Sequence, residues 1–160
     1  MSGTASYSPD DPKPLSGYAI LLLIFHVGVA LIAALFMRSR KRLPERIPAA
    51  DVALMSIGTF KVSRLVTKDK VTAAVRAPFT EYEGPAGPAE VSEKAEGTGL
   101  HRAVGELLTC PYCIGQWVAT GLLAAYLWQP RLTRAVATLF AVVTGADYLQ
   151  QLWVAVDKAA

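Results

Sequence analysis

Residues 18–37, YAILLLIFHVGVALIAALFM, run for twenty positions without a charge, and nothing else in the chain limits the fold as tightly. As a helix the run reaches about 30 Å, the thickness of a bilayer's hydrocarbon core. RSRKR follows at 38–42, and the preceding segment, residues 1–17, is rich in Ser, Pro and Gly. A cleavable secretory signal needs a basic n-region and an apolar core of about 7–15 residues. This segment has neither. It is expected to be a retained transmembrane helix, with 1–17 a flexible tail outside and the basic cluster in the cytoplasm. Composition agrees: 52% of residues are apolar and 18% charged, too apolar for an ordinary soluble surface. A net charge of +3 gives nucleic-acid binding little support.

Two further apolar runs lie near the end of the sequence. Residues 112–129 provide eighteen positions between Pro111 and Pro130, and 135–156 provide twenty-two with one acid, Asp147. Six residues, QPRLTR, join them, so an antiparallel transmembrane hairpin is expected. Trp128 and Trp153 fall near helix ends, where aromatic rings favour the interface.

Residues 52–66, VALMSIGTFKVSRLV, are nearly apolar enough to span, but Lys61 and Arg64 interrupt them. With Lys68 these bases form an i, i+3, i+7 stripe, the pattern of an amphipathic helix lying on the membrane. Three spans would place twelve Lys/Arg of 38–112 and Lys158 inside, thirteen against three. Four spans would leave seven on each side, with Lys61 and Arg64 in the bilayer. The positive-inside bias favours three, and four spans are the alternative. Residues 38–76 then form a basic cytoplasmic segment. The Pro, Gly and Glu of 77–99 predict a flexible linker, followed by the cysteine motif and hairpin in 100–160.

The order TFKVSRLVTKDKVTAAVRAPF at 59–79, LLTCPYCIGQW at 107–117 and a final apolar helix resembles the domain of unknown function 1360 family, small bacterial membrane proteins. The matching features are Arg64 to Asp69, Arg76-Ala-Pro-Phe79, the paired cysteines before a Trp-bearing helix, and Gly-Ala-Asp at 145–147. The resemblance covers about 52–156 and implies a multi-pass protein of the bacterial cytoplasmic membrane. It carries no established activity, and the stretch 80–98 departs from the typical pattern.

Cys110 and Cys113 are the only cysteines, so the chain can form one internal bridge. A thiol at a helix N-terminus has its pKa lowered by the free N–H groups there, so the pair is a candidate redox dithiol. No soluble βαβ pattern surrounds it, and the second cysteine pair of membrane thiol oxidases is missing. A structural zinc site needs about four ligands, and only His101 joins the cysteines nearby. Small cysteines packing at a membrane entry, or a structural bridge, is the plainer reading. Three spans would put the pair in the cytoplasm, where thiols stay reduced; four would put it outside.

Asp147 stands midway along the last run, with Thr144, Gln150 and Gln151 on the same face. An acid inside a bilayer usually pairs, and His26, Gln116 and Arg64 are its candidate partners. A proton relay is the sharper reading of Asp147, His26 and Gln151. Hydrogen bonding between helices is the plainer one, at about 0.6–2 kcal/mol per contact. Small residues every four positions, Ala137, Ala141 and Gly145, suit close helix packing, within the chain or in a homodimer.

Together these readings predict an all-α integral membrane protein with three transmembrane helices and an interfacial helix, its N-terminus outside and C-terminus inside. The expected role is a non-enzymatic interaction or scaffold protein, with no cofactor. Lys61, Arg64, Lys68 and Lys70 would face anionic headgroups or a membrane-protein partner. The alternatives are a thiol–disulfide oxidoreductase and, more weakly, a transport accessory subunit.

Overall fold

Each of the four long helices begins at a proline, whose fixed φ and missing N–H suit a first turn. A computed structural model describes residues 7–9 and 11–159. Pro14 precedes α1 (Leu15–Arg38) and Pro48 precedes α2 (Ala49–Thr67). After α2 come the short α3 (Ala73–Arg76), the strands β1 (Thr80–Gly87) and β2 (Glu90–Ala95), and α4 (Gly99–Thr109). Pro111 opens α5 (Pro111–Trp128) and Pro130 opens α6 (Pro130–Asp157).

Side-chain register fixes how the long helices run. Phe25 meets Trp117 edge-on with ring centroids 5.1 Å apart, and Phe36 meets Trp128 at 5.5 Å, so α1 and α5 are parallel. Asp51 of α2 bonds Tyr126 near the end of α5, whereas Ser63 lies against Gly115 near its start. Those two helices are therefore antiparallel. Asp51 also bonds Arg134, and Lys61 bonds Asp147, so α2 and α6 are parallel. The result is an up–down–up–down bundle with both ends of the described chain at one end of it.

The packing is inverted relative to a water-soluble protein. Gly58, Ser63, Thr67, Thr133, Ala137 and Thr144 are buried between helices, while Leu22, Leu23, Leu31, Leu139 and Val142 point outward. Small interior residues let backbones approach, and an apolar exterior suits lipid. Interior hydroxyls turn back on their own helices: Ser63 donates to the Thr59 carbonyl, Thr67 to Ser63 and Thr144 to Phe140. Two helices, α1 and α6, are individually long and apolar enough to cross a membrane. Helices α4 and α5 would make a third span only across an 81° bend. The protein is a helical membrane protein.

Three expectations change. The helix over 52–66 does not lie across the bundle's end; it is longer, Ala49–Thr67, and runs beside α5 and α6. The reason is that its charges have partners on other elements, which local periodicity cannot show. Residues 77–99 are not a structureless linker. β1 and β2 pair antiparallel, and Pro88 leads a turn with Ala89 in the left-handed region at φ 60°. Val91 N–H donates to the Lys68 carbonyl and Lys70 N–H to that of Ala89, tying the hairpin to the end of α2. The fold is thus not purely α. The expected tail, 1–17, lies partly outside the described residues, but Asp11 and Pro12 both accept bonds from Arg102 of α4.

Helix α4 lies against β2, and Gly105 makes that approach close. A Cβ there would meet the Phe79 carbonyl oxygen at 2.5 Å and the Ala95 methyl at 2.9 Å. At Gly58, facing Ala137 and Leu122, the nearest atoms would be 3.6 Å away, an ordinary contact. Gly105→Ala is therefore expected to destabilise the protein by about 1–3 kcal/mol. Gly58→Ala should be close to neutral. Thermal unfolding of the two variants in detergent, side by side, checks the contrast.

Candidate functional site

A helix cannot cross lipid with free charges, and α2 carries Asp51, Lys61 and Arg64. Each has a partner, at a different level of the bundle. Near the first turn, the Arg134 guanidinium donates to both Asp51 oxygens at 2.8 and 2.7 Å, and the Tyr126 hydroxyl donates to Asp51 at 2.6 Å. Arg134 also lies 5.4 Å from the centroid of the Tyr126 ring, so three helices meet at one charge cluster. Asp51 stands at the start of α2, where the helix dipole favours an anion.

Lys61 donates to Asp147, the acid placed midway along the last helix. The side chain of Lys61 is 16% exposed and that of Asp147 42%, so the pair lies at the bundle's edge. His26 instead bonds the Leu22 carbonyl one turn back in its own helix, at 2.8 Å. The bond to Asp147 comes from Lys61, not from His26, Gln116 or Arg64. Gln151 is exposed on the same helix.

At the other end of α2, Arg64 grips Glu90 of β2 through both carboxylate oxygens. Bidentate geometry of this kind is strong and directional. Below it, Arg76 is fully buried, with a side-chain exposure of 0%, and pairs with Glu93 of β2. Its remaining donors reach the Val66 carbonyl at 2.8 Å, the Asp69 carbonyl at 2.9 Å and the Thr72 hydroxyl. Val66 is in the last turn of α2, where carbonyls lack helical partners and favour a cation. Arg76 therefore ends α2 and holds the hairpin on it with one side chain.

The four bases expected to form one free stripe are separated. Lys61 and Arg64 are engaged within the chain, Lys68 is half-buried where β2 pairs with the end of α2, and Lys70 is exposed beside it. Glu90, Glu93, Asp51, Tyr126 and Arg134 were not singled out from sequence. A signal existed for one cluster: Asp51 and Arg134 each stand within two turns of a proline-marked helix start, hence at matching depth.

Cys110 and Cys113 are joined in a disulfide at the break between α4 and α5. His101 is elsewhere, its ring nitrogens 3.1 and 3.0 Å from the carbonyls of Glu96 and Pro78, so it bridges the two ends of the hairpin. A neutral ring donates to one of these at a time. The expected metal trio is thus not assembled, and among the described residues no three His, Cys, Asp or Glu side chains gather around a cation site. Outside the helical spans, Asp11 is held at about 2 by hydrogen bonds from Lys13 and Arg102, well below its usual range. That clamp keeps its charge throughout the physiological range.

These features define a helical membrane protein with ion-paired helices and, on one end, a folded cap made of α3, the β1–β2 hairpin and α4. The chain belongs to the family described as protein of unknown function (DUF1360), whose pattern matches residues 54–153. That range holds most of α2, the cap, α5 and most of α6, with both Arg–Glu pairs, the disulfide and Lys61–Asp147. A relative, the sporulation protein YjcA of Bacillus subtilis (strain 168), is 29% identical over 104 residues, covering 63% of this chain and 88% of that protein. No solved structure matches the chain.

Removing one partner of a buried pair strands the other's charge, at a cost of about 3–5 kcal/mol. Glu93→Leu is expected to lower stability by that order and to open the hairpin to protease. Arg76→Leu combined with Glu93→Leu should recover part of the loss. A double-mutant cycle read by thermal unfolding and cleavage within 80–95 checks this.

Proposed function

We propose that the protein spans the membrane four times and acts as a scaffold, with the cap as its interaction surface on the non-cytoplasmic side of a bacterial cytoplasmic membrane. The observation that carries the reading is the pairing of every charge on α2. A charge at a span's centre costs about 2.5–3.5 kcal/mol, and pairing with α5, α6 and β2 removes the main objection to α2 as a span. Lys61 and Asp147 satisfy each other's charge, and the interior hydroxyls bond their own helices, which leaves a structural role for Lys61–Asp147 and favours a scaffold over a transport accessory.

Orientation follows from where bases remain free. Arg40, Arg42 and Arg46 crowd the ten-residue connection between α1 and α2, with Arg38 at the end of α1 and Arg131 at the start of α6 beside them. Lys41 in the same connection donates to the Trp128 carbonyl at 2.6 Å, at the level of the Phe36–Trp128 contact. At the cap end, Lys13, Arg64, Arg76 and Arg102 are paired with acids. Short base-rich loops stay in the cytoplasm. Anionic headgroups there attract such bases by about 1 kcal/mol each, so the headgroup contact moves from the Lys61–Lys70 stripe to residues 38–46. Both ends of the described chain then lie outside, with the cap, and the disulfide faces an oxidising space. The name of the Bacillus relative suggests sporulation as the process in which to look for the scaffold's partner.

A membrane-impermeant maleimide tests the topology in a background of Cys110→Ser and Cys113→Ser. Ser92→Cys in the hairpin should label in intact cells, and Ser39→Cys only after lysis. Labelling of both from one side sinks the four-span reading, and the reverse pattern overturns the orientation. For the structural role of the intramembrane pair, Lys61→Leu with Asp147→Leu should insert and retain function, whereas Asp147→Leu alone should insert poorly. Loss of function in a well-inserted double variant would favour transport instead.

A further inference from the structure

The disulfide does little that the fold needs. It closes a ring of only four residues, the kind of loop whose closure restricts the unfolded chain least. The turn into α5 is already set by Pro111 and by backbone bonds from Cys113 and Ile114 to the Cys110 carbonyl. α4 is independently fastened through Tyr18–Glu106 and the Arg102 clamp. The two sulfurs also differ. Cys113 is exposed, beside Tyr112, which is 90% exposed, whereas Cys110 is half-buried at the junction of the two helices. Cys110 is the N-cap of α5, and its Sγ accepts the Cys113 backbone N–H at 3.2 Å.

We propose that Cys110–Cys113 is a thiol–disulfide exchange site that oxidises dithiols of exposed polypeptides, with Cys113 the attacked sulfur and Cys110 the leaving group. A substrate thiolate attacks Cys113 Sγ; a bond forms between the two sulfurs as the Cys113–Cys110 bond breaks. The electron pair leaves on Cys110 Sγ, where the N–H groups and dipole of an eighteen-residue helix stabilise the thiolate. A leaving thiol of lowered pKa departs faster. The substrate's second thiol then gives up its proton and attacks its own sulfur in the mixed disulfide, releasing Cys113. Substrate dithiol becomes disulfide, and the cysteine pair takes up two electrons and two protons. The bond present in the structure is the only oxidant this single turnover requires. The assignment reverses the order expected if the first cysteine of the motif were the exposed one.

The test uses the full chain in detergent, where the outcome does not depend on membrane orientation, with glutathione and a dithiol peptide as probes. The wild-type disulfide is expected to be reduced by the peptide, which emerges oxidised in one-to-one yield. Incubated with oxidised glutathione, Cys110→Ser should accumulate a mixed disulfide on Cys113 at least tenfold faster than Cys113→Ser accumulates one on Cys110, read by intact mass. Replacing both cysteines by serine should leave the melting temperature within a few degrees of wild type. A disulfide that withstands excess peptide while the protein stays folded would overturn the proposal, as would equal trapping in the two single variants. A large fall in melting temperature for the double variant would identify a structural brace and also overturn it.

Discussion

Three charges on one helix determine most of this structure. Without partners, Asp51, Lys61 and Arg64 would keep α2 out of a bilayer, and the chain would divide into α1 and a separate α5–α6 hairpin. With partners, the same charges become the connections between elements. Asp51 joins α2 to α5 and α6 at one end of the bundle, Lys61 joins it to α6 between the two ends, and Arg64 joins it to β2 at the other end. Apolar packing alone cannot supply this, because in lipid the exterior is as favourable for Leu as the interior. Interhelical specificity therefore falls on small residues and polar pairs, and α2 carries both.

The cap follows from the same logic carried past the end of the helix. Arg76 reaches the Val66 carbonyl in the last turn of α2 and the Asp69 carbonyl just beyond it, so the helix stops where the guanidinium arrives. Its charge is matched by Glu93 three residues after Glu90, the partner of Arg64. Two acids on one strand thus set the hairpin's height and its orientation. Backbone bonds from Lys70 and Val91 extend the sheet onto residues 68–70, and Gly105 lets α4 close over it. A two-stranded hairpin alone is marginal in water; here it is fixed on one side by buried charge and on the other by a helix.

What was legible in the sequence was local. Twenty uncharged residues announce α1, and prolines at 111 and 130 mark the starts of α5 and α6. The class of membrane protein and the family followed from these and from the order of motifs. What was not legible was pairing at a distance. Lys61 and Asp147 are 86 positions apart and Arg64 and Glu90 are 26 apart, so no periodicity links them. Read alone, the stripe Lys61, Arg64, Lys68 looks like a face for headgroups. The Pro, Gly and Glu of 77–99 suggest a flexible linker for the same reason: the bases that Glu90 and Glu93 meet lie on other elements.

The two ends of the bundle use their charges in opposite ways, and on the four-span reading that difference orients the molecule. At the cap, Lys13, Arg64, Arg76 and Arg102 are paired with acids, so those bases have little left to offer a membrane surface. At the α1–α2 connection the bases have few acids nearby; Glu45 is the only one between Arg38 and Pro48. A simple tally of Lys and Arg gives both ends the same number and suggests no preference. Counting only charges not already spent inside the fold breaks the tie, and the disulfide, at the neutralised end, falls on the side where such a bond persists.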